Sequence, residues 1–327
     1  MDLQDPSVLT HNATYTWEPN QTNHLHHANT ALQVTPGQTH LTCEMLYRYC
    51  SMIFIIPNHR RWALFPLRQN GSTSRHMLRG DSPNPVHPGN YIVLDYQYQG
   101  PITVQLTSEC APRRVTTQDQ SDRSQGRSER ELLQSRLRSS VCARDTVCAI
   151  TNNGPAYPDP NKPYEGLEAC HIFPTSQLAE WNRNNYRRYI TDTSPANQIG
   201  QSGLYSPQNA LLLSPEEHRA FDQFKLGVDP DDGYKIIVFG PDPKKTGGKR
   251  LRRSARCGTN PNDRVSADLL RWHLRMCVYR NMKANAEPRS LWKEDLGSDD
   301  IGQILEQPDA AERMEVELFT RLGELVA

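Results

Sequence analysis

The sequence lacks an excess of charge of either sign. Its 327 residues carry 37 Lys and Arg against 37 Asp and Glu. Binding to a polyanion through overall charge is therefore excluded, and any such affinity must come from local patches. Two segments break the balance: residues 244–256 hold seven basic side chains and no acidic one, whereas residues 287–327 hold eleven acidic and four basic ones. These patterns are typical of a polyanion contact and of a solvated acidic tail, respectively.

The sequence also lacks a long apolar run. The longest, near "SMIFIIP" at residues 51–57, is much shorter than the roughly 20 residues that a membrane-spanning helix needs. The opening residues "MDLQDPSVLT" show neither the basic nor the apolar part of a secretory leader. The eight cysteines have irregular spacings rather than those of a disulfide framework. We therefore expect an intracellular protein, nuclear or cytoplasmic and not secreted, with reduced thiols and no membrane partner.

Composition divides the sequence into four parts. Residues 1–40 lack a sustained apolar period, which predicts an irregular segment. Residues 41–110 contain short runs of branched and aromatic residues between turn signals, which predict strands in a small β-rich domain; "SMIFIIP" at residues 51–57 is one of these runs. Residues 111–128 are polar and predict a linker. Residues 129–327 mix helical and strand patterns, so the fold class that we predict is α+β.

Residues 129–327, with the residue before them, contain several segments in which apolar residues follow a regular pattern. We predict helices where apolar residues recur at helical spacing, and strands where short apolar runs lie between turn signals. The predicted helices cover residues 128–141, 214–227, 266–282 and 309–326, and the predicted strands lie within 141–154, 166–174 and 234–240.

The helix near residue 215 has a well-specified start. Ser214 is suited to the N-cap, Pro215 to the first helical position, and Glu217 to the acid of a capping box. His218 and Asp222 lie four residues apart on this helix, so both side chains project from one face. They can hold a single cation between them.

His171 ends the predicted strand "LEACHIFP", and Asn209 stands directly before the apolar "ALLL". Together with His218 nine residues after Asn209, they resemble the His-Asn-His (HNH) nuclease motif of filamentous fungal proteins, and the resemblance extends over residues 130–325. It implies a ββα-metal core of two strands and a helix around one divalent ion, with flanking helices. It also implies hydrolysis of the phosphodiester bonds of DNA.

The resemblance assigns a role to each residue of the motif. His171 is the expected general base, because an imidazole with a pKa near 6.5 takes a proton from water at neutral pH. Asn209 is expected to brace the loop and to orient the His171 ring through its amide. His218 and Asp222 are expected to hold the ion, so His171, Asn209 and His218 form the predicted catalytic set.

Cys170 departs from the family pattern, since the position before the base often carries an Asp or His that binds the metal. A thiolate suits Zn²⁺ and suits Mg²⁺ poorly. Cys170 is therefore either a metal ligand or a buried packing residue. Glu168, two positions back on the strand, is not expected to replace it. The expected cofactor is one divalent ion, with Mg²⁺ first and Zn²⁺, Ni²⁺ or Mn²⁺ as alternatives.

Basic residues outside the motif are candidates for nucleic-acid contact. They lie in the basic segment 244–256, which we call the basic loop, and in the insertion between His171 and Asn209. Contacts of this kind hold the DNA backbone without reading its sequence. The candidates are Lys249, Arg250, Arg252 and Arg253 in the loop, and Arg183, Arg187 and Arg188 in the insertion.

Two other functions stay open at the level of sequence. The fold can serve as a catalytically weak or inactive module that binds DNA or protein, with the β-rich domain in recognition. A structural partner with no nucleic-acid role would show neither nicking nor salt-sensitive DNA binding. The sequence does not identify a protein partner.

Overall fold

The structure is a computed structural model in which residues 41–56, 60–68, 72–87, 90–98, 100, 102, 104–112, 125–155, 159–240 and 242–283 are described, together with four short strands within residues 1–40. The chain divides into two units, Met1–Ala286 and Glu287–Ala327. All described residues belong to the first unit, so the predicted helix at 309–326 and the acidic tail lie outside the described residues.

The described residues mix helices and strands, as expected for an α+β fold. The helices are α1 (Cys43–Ile53), α2 (Gln125–Asp145), α3 (Leu178–Arg183), α4 (Ala196–Ile199), α5 (Pro215–Asp222), α6 (Arg253–Cys257) and α7 (Ala267–Val278). The strands are β1 (Val8–Leu9), β2 (Thr14–Thr16), β3 (Leu25–His26), β4 (Asn29–Thr30), β5 (Phe54–Ile55), β6 (Trp62–Leu67), β7 (Asn90–Asp95), β8 (Val104–Leu106), β9 (Glu168–His171), β10 (Ala210–Leu213), β11 (Leu226–Asp229) and β12 (Lys235–Val238).

The strands form four small sheets. A five-stranded sheet has the order β3-β4-β2-β7-β6, and a three-stranded sheet has the order β1-β8-β5. The other two are the antiparallel pairs β9 with β10 and β11 with β12. None of the helices in the described ranges is long and apolar enough to span a membrane.

Helix α1 replaces part of a strand that the sequence predicts near "SMIFIIP". Thr42 caps the helix by accepting a hydrogen bond from the Met45 N–H at 3.2 Å. The residues that α1 buries recur at helical spacing, among them Leu46, Cys50 and Ile53. Only Phe54–Ile55 continues as a strand, so the helical period upstream decides the structure of this run.

The end of α2 is fixed by a buried ion pair. Arg144 and Asp145 are almost fully buried, and the Arg144 Nη2 atom lies 2.6 Å from Asp145 Oδ2. Arg144 also donates to the carbonyl oxygens of Pro207, Ala210 and Asp263, and Asp145 accepts from the Leu212 N–H. The strand expected within 141–154 is absent from these described residues, because α2 extends to Asp145 and a turn follows.

Two antiparallel strands and the helix that follows them carry the residues of the predicted motif, and we call the strand pair the β9–β10 hairpin although residues 172–209 lie between its strands. Strands β9 and β10 pair antiparallel with His171 opposite Ala210 and Cys170 opposite Leu211, and α5 follows β10 directly. All four residues of β10 are buried, which agrees with the continuous apolar run "ALLL". Helices α5 and α7 begin at Pro215 and Ala267, close to the predicted starts.

One hydrophobic core extends across both sides of the predicted linker. It includes Leu46 and Tyr49 of α1 together with Leu274 and Cys277 of α7. The Tyr49 and Phe239 rings pack with their centroids 6.1 Å apart. Arg48 of α1 forms an ion pair with the buried carboxylate of Asp229 at the end of β11. The core therefore contains residues from the predicted β-rich domain and from the predicted second domain. A separate β-rich domain stays a prediction.

Candidate functional site

The strand β9 presents alternate side chains to opposite sides of the hairpin. Glu168 and Cys170 therefore share one side, and both have contacts with α5 on that side. Cys170 is fully buried, whereas Glu168 is exposed. The strand thus brings one thiol and one carboxylate to the helix that carries His218 and Asp222.

Helical spacing brings His218 and Asp222 together, as predicted. The His218 Nε2 atom lies 3.2 Å from Asp222 Oδ2, and the Cys170 Sγ atom lies 3.8 Å from Asp222 Oδ1. One ligand atom from each of these residues lies within 4.8 Å of the other two. Among the described residues, no other three His, Cys, Asp or Glu side chains bring their ligand atoms this close together. It contains all three residues predicted to bind the metal.

The start of α5 differs in detail from a capping box. Ser214 is the N-cap and Pro215 the first helical residue, but the Ser214 hydroxyl donates to the Glu217 carboxylate instead of accepting from the helix backbone. Lys244 of the basic segment also contacts Glu217, with its Nζ atom 2.9 Å from Oε1. These contacts fix the first turn of the helix, one residue before His218.

The electrostatic surroundings of His218 favour a positive charge. Burial opposes that charge, but the hydrogen bonds that the imidazole makes with Asp222 and Cys170, and their Coulombic attraction, outweigh burial and raise the pKa of His218 to about 11. Asp222 and Cys170 therefore create a negative environment around the ring that a cation can occupy. A divalent ion would replace the proton on the ring.

Glu168 contacts His218 on the other ring nitrogen. The Glu168 Oε2 atom lies 2.6 Å from His218 Nδ1, so the carboxylate accepts a hydrogen bond there when this nitrogen carries the proton. That arrangement leaves Nε2 directed to Asp222. Metal-binding histidines in general donate their second N–H to such an acceptor. Sequence analysis did not assign this role to Glu168, although strand alternation with Cys170 is the signal that could have found it.

His171 is half-buried at the end of β9, directly after Cys170. Its ring packs edge-to-face on Tyr205, with the ring centroids 5.7 Å apart. This contact restricts the orientation of the imidazole. Burial raises the pKa of the Tyr205 hydroxyl, which keeps that group neutral beside the histidine.

Asn209 is fully buried and braces the segment that follows His171. Its Oδ1 atom accepts from the Phe173 N–H at 2.8 Å, and its Nδ2 atom donates to the carbonyl oxygens of Phe173 and Leu204 at 3.1 and 2.9 Å. These bonds hold the backbone at Phe173 and Leu204 together. The predicted contact of the amide with the His171 ring is not among the hydrogen bonds of Asn209, so its support runs through the backbone.

Four arginines surround one cavity next to α6. The cavity is lined by Arg250, Arg252, Arg253 and Arg256, with the Asn152 amide beside them. The hydrogen bonds of Arg250, Arg252 and Arg256 go to neutral oxygens, such as Gly233 O at 2.7 Å and Asn152 Oδ1 at 3.0 Å. Among the described residues no carboxylate pairs with the four, so their positive charge remains available to an anion. Lys249 is exposed just before them.

The predicted basic residues of the insertion have different surroundings. Arg183 is exposed and pairs with Glu180 at 3.0 Å, and Arg188 is exposed with its guanidinium 4.7 Å from the Tyr189 ring centroid. Arg187 instead donates to the Ile190 carbonyl oxygen at 2.5 Å. It also lies so close to Gly203 that a Cβ atom there would be 2.8 Å from its Nε atom. Arg187 therefore holds the insertion together.

Comparison with known proteins gives one family. Residues 148–229 match the family model of HNH endonucleases. This range contains the hairpin of β9 and β10, helix α5 and all three members of the ligand group. Comparison with curated proteins gives no match. Comparison with solved structures gives none either.

Proposed function

We propose that this chain is a metal-dependent HNH endonuclease that hydrolyses phosphodiester bonds of DNA. The observation that carries the proposal is the convergence of Cys170, His218 and Asp222 within 4.8 Å, inside the segment that matches the HNH family. A hairpin of two antiparallel strands followed by a helix surrounds this group. We propose that it forms a ββα-metal core with flanking helices.

The proposed reaction needs a base for the attacking water and a stabiliser for developing negative charge. His171 accepts the proton of the water, and the Tyr205 ring holds the imidazole in one orientation. Asn209 fixes the backbone directly after His171. A divalent ion, when bound by His218 and Asp222, supplies a Lewis acid for the scissile phosphate and the leaving oxygen.

DNA is the proposed substrate, held through its backbone by basic side chains. The four arginines around the α6 cavity provide positive charge without carboxylate partners in the described part of the chain. Lys249, Arg183 and Arg188 are exposed and extend the set. Phosphate contacts of this kind position DNA without selecting a sequence. We also propose an intracellular location in the nucleus or cytoplasm, where cysteines stay reduced as thiols.

Plasmid nicking tests the proposal. The purified chain is incubated with supercoiled plasmid and with Zn²⁺, Mn²⁺, Ni²⁺ or Mg²⁺ in separate reactions, beside His171→Ala. We expect nicking by the wild type and a loss of roughly 100- to 10,000-fold in the variant, because a positioned base contributes about that factor. Equal nicking by the wild type and the variant would show that His171 is not the general base.

A second function is a binding module without cleavage. The observation that favours it is the replacement of a family metal ligand by Cys170, together with a basic cavity built by other elements of the fold. Such a module would retard DNA in a salt-sensitive way. If neither the wild type nor His171→Ala nicks the plasmid but both still bind DNA, the result would support a binding module over an enzyme.

A further inference from the structure

The sulfur of Cys170 lies where a metal ligand is needed, although its burial alone would also be expected of a cysteine that only packs in the core. The thiol lies on the same side of β9 as Glu168, and its Sγ atom is 3.8 Å from a carboxylate oxygen of Asp222. The Cys170 sulfur, a ring nitrogen of His218 and a carboxylate oxygen of Asp222 all lie within 4.8 Å of one another. The sulfur therefore contacts Asp222 and lies close enough to both other members of the ligand group to share one ion with them. A thiol that only filled the core would not need to lie beside a carboxylate and an imidazole.

The spacing of the group fits a small tetrahedral ion. Zinc binds sulfur at about 2.3 Å, nitrogen at about 2.0–2.1 Å and carboxylate oxygen at about 2.0–2.2 Å. A tetrahedron with these bonds separates nitrogen from oxygen by about 3.4 Å and sulfur from oxygen by about 3.6 Å. The structure has 3.2 Å between His218 Nε2 and Asp222 Oδ2, and 3.8 Å between Cys170 Sγ and Asp222 Oδ1. The two distances reach different oxygens of Asp222, and both lie within about 0.2 Å of the tetrahedral values.

The donor set selects among divalent ions. Mg²⁺ prefers six oxygen ligands in an octahedron and keeps several waters, so a thiolate and an imidazole suit it poorly. Zinc accepts sulfur, nitrogen and oxygen together. A Cys thiolate and an Asp carboxylate also balance the two positive charges of the ion. Three protein ligands leave a fourth position for water or a phosphate oxygen, as in catalytic zinc sites.

We propose that the site holds Zn²⁺ or another thiophilic divalent ion through Cys170 Sγ, His218 Nε2 and one Asp222 oxygen, and that it discriminates against Mg²⁺. The inference rests on the proposed function in assigning this ion to the nuclease centre, and it replaces the Mg²⁺ expected from sequence. Binding transfers the Cys170 thiol proton and any proton on His218 Nε2 to solvent, because only the deprotonated donors bind metal.

Cobalt substitution tests the sulfur ligand directly. Co²⁺ is added to the metal-free full-length chain, and the near-ultraviolet absorption that arises from charge transfer between thiolate and Co²⁺ is recorded. We expect this band in the wild type and in Cys110→Ser, where the changed thiol is exposed and outside the ligand group. We expect Cys170→Ser to lose it, with circular dichroism showing that the variant is folded. A band that survives in Cys170→Ser would overturn the inference.

Competition tests the selectivity. Zn²⁺ bound to the wild type should resist a large molar excess of Mg²⁺, and Cys170→Ser should bind Zn²⁺ at least about 10-fold more weakly. Cys170→Asp supplies a hard oxygen instead, so it should lose the cobalt band and gain affinity for Mg²⁺. Displacement of Zn²⁺ by Mg²⁺ from the wild type would overturn the inference.

These measurements use no nucleic acid, so they separate the two proposals. A chain that binds Co²⁺ through Cys170 but cuts no DNA supports the inference and removes the proposed function. A chain that nicks plasmid with Mg²⁺ and shows no thiolate band supports the function and overturns the inference.

Discussion

The Glu168 carboxylate and the His218 imidazole meet at 2.6 Å, between Oε2 and Nδ1. One residue comes from a strand and the other from the helix that follows the next strand, so the contact links both parts of the proposed core. It fixes which nitrogen of His218 is left for the ion. Glu168 is therefore a positioning residue for a proposed ligand.

Removing the charge of Glu168 should weaken metal binding. In Glu168→Gln we expect the affinity for Zn²⁺ to fall about 10- to 100-fold, because partners of this kind orient the ligand and raise its basicity. Isothermal titration of the metal-free chain measures the change. Glu165→Gln is the matched control, since Glu165 is exposed and pairs only with Lys162 among the described residues. Equal affinities in the two variants would contradict the role of Glu168.

The raised pKa of His218 predicts a pH-dependent stability of the metal-free chain. The folded pKa of about 11 lies above the ordinary value of 6.5, so the stabilisation is fully present below pH 6.5 and is lost as the pH rises through 11. Asp222→Asn removes the residue that raises the pKa of His218 most. The difference in Tm between the wild type and this variant should therefore shrink from pH 6 to pH 11, and a constant difference would count against the pair.

Asn209 should be needed for stability as well as for activity. Asn209→Ala removes three side-chain hydrogen bonds from a fully buried site. At about 1 kcal/mol for each, we expect a loss of about 3 kcal/mol in the free energy of unfolding, measured by urea denaturation. Asn262→Ala, with one exposed contact to Thr193 at 3.4 Å, should change it little. A loss no larger than that of the control would refute the bracing role.

Arg144 should be a strong determinant of stability. Arg144→Met leaves the Asp145 carboxylate buried without its cation, which costs about 3–5 kcal/mol in the free energy of unfolding. Urea denaturation measures the loss. Arg79→Met removes an exposed ion pair with Asp81 and should have little effect. Similar midpoints for the two variants would show that the buried pair contributes no more than a surface pair.

The α6 cavity should contribute to DNA binding without affecting metal binding. Each phosphate contact that an arginine loses lowers the slope of log K against log salt concentration by about 0.9. Arg250→Ala and Arg253→Ala should each reduce this slope, measured by fluorescence anisotropy with duplex DNA, while the cobalt spectrum stays unchanged. Slopes equal to that of Arg79→Ala would exclude the cavity from the DNA interface.

The sequence predicts local structure best where one strong pattern acts alone. Helix α5 follows from its cap residues and from the spacing of His218 and Asp222, and β9 follows from a short apolar run. The strand expected at Ser51 fails because the upstream period of Leu46 and Cys50 extends helix α1 to Ile53. Short apolar runs do not distinguish a strand from a helix by themselves.

Contacts between distant segments are harder to predict. Arg144 and Asp145 are adjacent charges at the end of a polar helix, a pattern typical of a solvated surface, yet β10 and the turns around it bury both. The Glu168 contact depends on the register of β9 against β10 and on the position of α5. The role of Cys170 as a ligand or a packing residue depends on the same geometry.

The ion pair between Arg48 and Asp229 bears on any attempt to produce the nuclease segment alone. Asp229 is the last residue of the range that matches the HNH family, and its cation comes from a helix almost a hundred residues before that range begins. A fragment cut at the family borders would lose this cation and the apolar surface of α1 that packs beside it. Expression plasmids for this protein should therefore retain the upstream region.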